Sequence, residues 1–110
     1  MRFAVTEGFH VGVADEALEA HLDQVLQTLY ELGVDDADVG GSLASGDVEI
    51  SMIVEADSFR SAQQLATDLI RRAISTSGGT LVDGDGSKAA RTRGLSFNLR
   101  SVGAELVGSA

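Results

Sequence analysis

No cysteine occurs among the 110 residues. That excludes thiolate catalysis, iron–sulfur clusters and Cys-based zinc sites, and leaves no sign of an oxidising compartment. Aromatic residues are scarce, four Phe and one Tyr without a Trp, which leaves little for stacking bases or lining an apolar pocket. No apolar run approaches the ~20 residues that cross a bilayer. Glu7 and Gly8 interrupt the N-terminal apolar stretch before it reaches the length of a signal peptide's core. Basic residues are nearly missing from the first half: residues 1–57 hold thirteen acids against Arg2 alone, a balance of −12. Residues 58–110 hold seven basic and four acidic side chains, a balance of +3, and the whole chain carries −9. An anionic surface repels phosphate backbones, so neither nucleic acid nor an anionic membrane is an expected partner. The expected location is cytoplasmic.

What is present is periodicity. With 44% apolar residues the chain suffices for one domain, residues 1–110, whose core needs neither disulfide nor metal. From Phe3 to Val13 the odd positions read Phe3, Val5, Glu7, Phe9, Val11, Val13 and the even ones Ala4, Thr6, Gly8, His10, Gly12. That alternation predicts a half-buried strand, with Gly8 a candidate bulge or break. Asp15 then caps a helix to Leu32, striped by Leu18, Leu22, Val25, Leu26, Leu29 and Leu32. Gly33 ends it in a left-handed cap, with Val34 folding back onto Leu29. Ala37–Leu43 reads as a weak edge strand broken by Gly40 and Gly41. A turn over Ala44–Asp47 leads into a strong strand, Val48–Ala56, in which Val48, Ile50, Met52 and Val54 share a face.

Asp57 or Ser58 caps a second helix whose buried stripe is Phe59, Ala62, Leu65, Ala66, Leu69, Ile70, Ala73 and Ile74. Thr80–Val82 is a short strand or an anchored return. Residues 83–93 form a polar loop, expected to be mobile, before a last strand through Leu95, Phe97 and Leu99. Beyond Ser101 the parity flips to Val102, Ala104 and Leu106, which predicts a bulge or a fifth short strand near Gly103.

The order strand–helix–strand–strand–helix–strand, with two amphipathic helices, is that of an α+β ferredoxin-like βαββαβ two-layer sandwich: an antiparallel sheet with both helices on one face. The first and third strands become central, and the glycine-weakened second lies at an edge. The uncovered face then presents Ala4, Thr6, His10, Glu49, Ser51, Ile53, Glu55, Ser96, Asn98 and Arg100. It carries no aromatic residue, unlike the sheets of RNA-binding proteins. The run Val48-Glu49-Ile50-Ser51-Met52-Ile53-Val54-Glu55-Ala56-Asp57-Ser58, with the Ala-, Leu- and Arg-rich helix after it, resembles small uncharacterised actinobacterial proteins of this topology. The resemblance covers about half the chain; it implies a fold and no activity.

Gly84-Asp85-Gly86-Ser87-Lys88-Ala89 matches a dinucleotide fingerprint in form, but a strand and not a helix follows it, and two aspartates oppose a phosphate. Counted from Asp83 as a calcium loop, the sixth residue is Lys88 and the twelfth Gly94, so the EF-hand pattern fails. No serine sits in a nucleophile-elbow context. His10, on the open face of a central strand with Glu55 and Asn98 at matching parity, is the candidate general base, its alternative being a solvated surface imidazole. His21 reads as the boundary of an amphipathic helix. His10, Asp15 and His21 have no ligand spacing that supports a metal. No cofactor and no metal is called for.

The function expected from the sequence is a non-enzymatic oligomerisation or protein-interaction module, a homodimer or other homo-oligomer, acting through the sheet face or an edge strand. The alternative is a cofactor-free enzyme of the dimeric α+β-barrel kind with its site on the open face around His10, Asn98 and Arg100. A third reading is a regulatory domain that binds a small metabolite between subunits.

Overall fold

Strict alternation makes the central strand one-sided: β1 (Arg2–Val11) buries Phe3, Val5, Glu7, Phe9 and Val11 and leaves Ala4, Thr6, Gly8 and His10 half-covered. The structure, a computed structural model, describes residues 1–11, 16–42, 45–78, 80–82 and 96–107. In chain order β1 is followed by α1 (Glu16–Glu31), β2 (Asp35–Ser42), β3 (Asp47–Glu55), α2 (Phe59–Thr76), β4 (Thr80–Val82) and β5 (Ser96–Leu106). The strands lie in the order β2-β3-β1-β5-β4. β2, β3, β1 and β5 are antiparallel neighbours and, with the two helices, form the ferredoxin-like sandwich that the alternation predicts. β1 and β3 are central and β2 is an edge, as expected.

Thr80–Val82 is a strand, not a mere return: β4 pairs parallel with Ser96–Asn98 and extends the otherwise antiparallel sheet by a short fifth strand. The parity flip in the last strand is a bulge, placed earlier than Gly103. Gly8 pairs with Ser101 and Phe9 with Leu99, so Arg100 is the extra residue, and the strand runs on unbroken to Leu106. The loop over 83–93, the cap at Asp15 and the turn residues Leu43 and Ala44 lie outside the described residues.

Both helices are held by burial more than by their ends. α1 places Leu18, Val25 and Leu29 in the core. It ends as its glycine predicts: Gly33 has φ +85°, its N–H donates to the Tyr30 carbonyl, and the Val34 N–H donates to the Leu29 carbonyl at 3.1 Å. α2 is capped by Ser58, whose hydroxyl accepts from the Ser61 N–H at 3.1 Å. Such a cap contributes about 1 kcal/mol. Ile70 and Ile74, fully buried, contribute roughly 1.5–3 kcal/mol each and outweigh it. Phe59 and Leu65 depart from the expected stripe and are exposed. Helical spacing gives a face, but not where the sheet beneath it stops, and Phe59 sits at the start of α2 with the Phe3 ring 4.9 Å away. No described helix is long and apolar enough to cross a membrane.

The β2–β3 turn is closed onto β1. Val11 N–H donates to the Gly46 carbonyl at 2.8 Å, and Gly46 N–H donates to the Ser42 carbonyl at 2.9 Å. Gly46 has φ +78°, and a Cβ there would run into the Val11 carbonyl oxygen. Gly46→Ala is therefore expected to destabilise the fold by about 2 kcal/mol or more, from the left-handed backbone and the clash together. A lowered midpoint in urea, followed by circular dichroism, is the measurement; an unchanged midpoint would contradict this turn geometry.

Candidate functional site

Because β1 is paired on both edges, the open face is laid out in rows across the strands. One row reads Asp38, Ser51, Thr6, Gly103; the next Gly40, Glu49, Gly8, Ser101; the next Ser42, Asp47, His10, Asn98. The middle row has no side chain at two of its four positions. A saddle of about 500 Å³ opens there, floored by Gly8, Gly40 and Gly41 and walled by Asp38, Asp47, Glu49 and Arg100. The bulge is what brings Arg100 to it, since the extra residue leaves Leu99 on the helix side and Ser101 on the open side.

His10 and Asn98 are brought together, and Glu55 is not. Asn98 stands opposite His10, and its side-chain amide donates to the His10 carbonyl at 3.1 Å. Glu55 pairs with Arg2, eight residues along β1 from His10, roughly 27 Å at 3.4 Å per residue. Parity puts two residues on one face without fixing how far apart along the strand they lie. The acid beside His10 is Asp47, directly opposite on β3, with Nδ1 and Oδ1 3.2 Å apart. Sequence reading assigns Asp47 to the turn, and only the register of β1 on β3 reveals the pair. The His10 imidazole, and after it the Ser45 hydroxyl, hold the Asp47 carboxyl below the usual carboxylate range.

Among the described residues no third catalytic group joins the pair. Asp47 lines the saddle, while His10 does not. Among the described residues no serine hydroxyl hydrogen-bonds a histidine, and no group of three potential metal ligands forms. The saddle holds three carboxylates against one guanidinium, so it disfavours phosphate and other anions. Arg100 faces this polar hollow and not an apolar cavity.

On the opposite side of the sheet stand two polar residues of a different kind. Glu7 is 0% exposed among the apolar side chains, and its Oε2 accepts from the Thr67 hydroxyl of α2 at 2.8 Å. An acid at the centre of an otherwise apolar face, Phe3-Val5-Glu7-Phe9-Val11, is a signal legible in sequence. Its structural reading is a partnered buried group that ties α2 to β1. His21 is half-buried against Phe97, ring centroids 5.3 Å apart, with Nε2 buried and without a hydrogen-bond partner among the described residues. Burial pushes its pKa down, and a hydrogen bond to the Ser77 backbone partly opposes that. His21 therefore matches the helix-boundary reading, and it lies across the sheet from His10, so the two share no metal.

Two titrations follow. His10→Gln is expected to raise the Asp47 carboxyl towards its ordinary range, read from the pH titration of its side-chain carbon by NMR; no upward shift would separate the two side chains. A depressed carboxylate contributes stability above its unfolded pKa and loses it as pH falls through the folded one, and exposed Asp47 contributes little. His21, half-buried, is the second group. Its folded pKa lies below the unfolded value, so the unfolded chain binds more protons and stability falls as pH drops below about 6.5. Wild type is expected to lose urea resistance from pH 7 to 5, and His21→Leu to lose less over the same interval. Equal losses would refute this assignment.

No family model matches the chain, and no curated protein matches it. Among solved structures it is similar to Rv0793 from Mycobacterium tuberculosis, with a TM-score of 0.51 at 16% identity, over 100% of this chain and 98% of that one. At that identity the likeness is one of fold alone, a small α+β chain of matching extent.

Proposed function

We propose that this chain is a small non-enzymatic association module of the cytoplasm, which forms a homodimer or other homo-oligomer through its uncovered sheet. The observation that carries the reading is the sheet itself: both helices lie on one face, and the other offers small and polar residues in register, Thr6, Gly8, Ser51, Ser101 and Gly103. Such a face permits close approach of a second sheet at about 10 Å, with little side-chain entropy to lose. A different protein is the alternative partner. Nucleic acid is disfavoured by Asp38, Asp47 and Glu49. We read the resemblance of the Val48–Ser58 run to small actinobacterial proteins of this topology as kinship of fold.

One observation favours a second reading, a cofactor-free enzyme on the same face: the His10–Asp47 pair, an imidazole oriented by a carboxylate. Against it stands the saddle's polar lining, from which His10 is absent.

Size exclusion with light scattering, from 10 to about 500 μM, tests the module. A mass of at least twice the 11.4 kDa of one chain is expected. A strict monomer throughout that range would remove self-association.

A further inference from the structure

The lopsided charge of the chain falls on one border of the fold. Residues 16–55, which run through α1, β2 and β3, hold ten acidic side chains and neither Lys nor Arg. The outer edge of β2 pairs with no strand among the described residues. From Asp38 to Ser42 the strand keeps an unbroken register with β3, so five residues of regular backbone lie along that edge. Asp38 and Gly40 line the open face, while Val39 packs towards the core. Nothing stands within 4 Å of where a Cβ on Gly40 would sit, so another backbone can come close there.

α1 borders this edge on the helix side and carries a groove of about 490 Å³, lined by Asp23, Leu26, Gln27, Tyr30 and Glu31. Tyr30 is 54% exposed, yet its hydroxyl donates to the Ala37 carbonyl of β2 at 2.9 Å, which fixes the ring beside the edge. Asp23 and Glu31 lie eight residues apart on the helix, roughly 12 Å at 1.5 Å per residue, with Leu26 and Tyr30 between them. A leucine and an aromatic ring between two carboxylates suit a long aliphatic stem that ends in a cation. Neither those two acids nor Asp36 and Asp38 form an ion pair with Lys or Arg among the described residues. Charges of one sign on the edge and on both its flanks repel the β2 edge of a second copy and attract an extended segment of opposite charge.

We propose that the β2 edge binds a basic peptide segment of another protein as an added strand along residues 38–42. Neighbouring side chains of a strand point to opposite faces, so two consecutive Arg or Lys residues meet both acidic flanks. One enters the α1 groove over Leu26 and the Tyr30 ring. The next lies on the open face beside Asp38, with Glu49 and Asp47 beyond it on β3. Main-chain hydrogen bonds hold the segment, and the two cations select it. The inference goes beyond the sheet-face association and does not need it.

The test is fluorescence anisotropy on the full chain with three labelled ten-residue peptides of alternating threonine and valine. The first has a central Arg-Lys pair, the second Glu-Glu in its place, and the third keeps Arg-Lys but has proline on either side. The Arg-Lys peptide is expected to bind, more weakly as salt rises, and the Glu-Glu peptide not to bind. Proline removes N–H donors and is expected to weaken binding about tenfold or more. Asp38→Lys and Glu31→Lys are each expected to weaken it about tenfold or more with far-ultraviolet dichroism unchanged. Asp68→Lys, the same charge change on exposed α2, is expected to weaken it about twofold at most. An equal loss in Asp68→Lys makes net charge the cause, and full binding of the proline peptide makes it attraction without strand pairing; either overturns the inference. If no basic peptide binds while Asp38→Lys alters the oligomeric mass, the edge receives a second copy and the inference falls. A monomer that binds the Arg-Lys peptide keeps this inference and loses the sheet-face association, and an oligomer that does not bind it does the reverse.

Discussion

A strand paired along both edges has no freedom to slide, because a shift of one residue would carry its whole apolar set into water. β1 is held in that way between β3 and β5, and one of its faces is filled by Phe3, Val5, Phe9 and Val11. The register of β1 therefore decides what stands opposite what on both sides of the sheet. It sets Glu7 under Thr67, His10 against Asp47, and Gly8 in the row where the saddle opens. The helices add burial to an arrangement the central strand has already determined, and the caps on them are small corrections to that energy.

One-sidedness has a second consequence. A sheet covered on one face only keeps its polar row available, and among the described residues no convergent catalytic set forms on it. Its residues are those that let another surface come close: glycines, serines and a threonine, bordered by carboxylates. At the edges apolar side chains remain exposed beside backbone that pairs with no strand among the described residues. The open face is the ground on which the association proposal rests.

Much of this is legible before any coordinates. Period two in Phe3–Val11 and Val48–Val54, period 3.6 in the two leucine- and alanine-rich stripes, and the glycine after Leu32 each carry a local cause that the fold does not override. The losses have causes too. Asp35 and Asp36 read as turn residues, yet Asp36, at φ 51°, sits in a bulge and β2 begins before it. The apolar parity change between Leu99 and Val102 is visible, but Gly103 draws the eye past Arg100, the inserted residue. Phe59 and Leu65 obey the helical period and still face solvent, because the period is blind to the sheet's extent. For the site, His10 and Asn98 are recoverable from parity, whereas the acid that meets His10 depends on a hairpin register that parity leaves open.

The single inserted residue in β5 acts like a frameshift in a two-letter text. Before it, odd positions turn towards the helices; after it, even ones do. Pairing Arg100 as an ordinary strand residue, with no bulge, would thus invert everything downstream, turning Ser101, Gly103 and Glu105 inward and Val102, Ala104 and Leu106 out, whereas deleting it would straighten the strand and leave those faces unchanged. The bulge is thus the one place in the final strand where a residue can be lost without turning the apolar side chains over, and a one-residue change elsewhere in the paired strand would turn them.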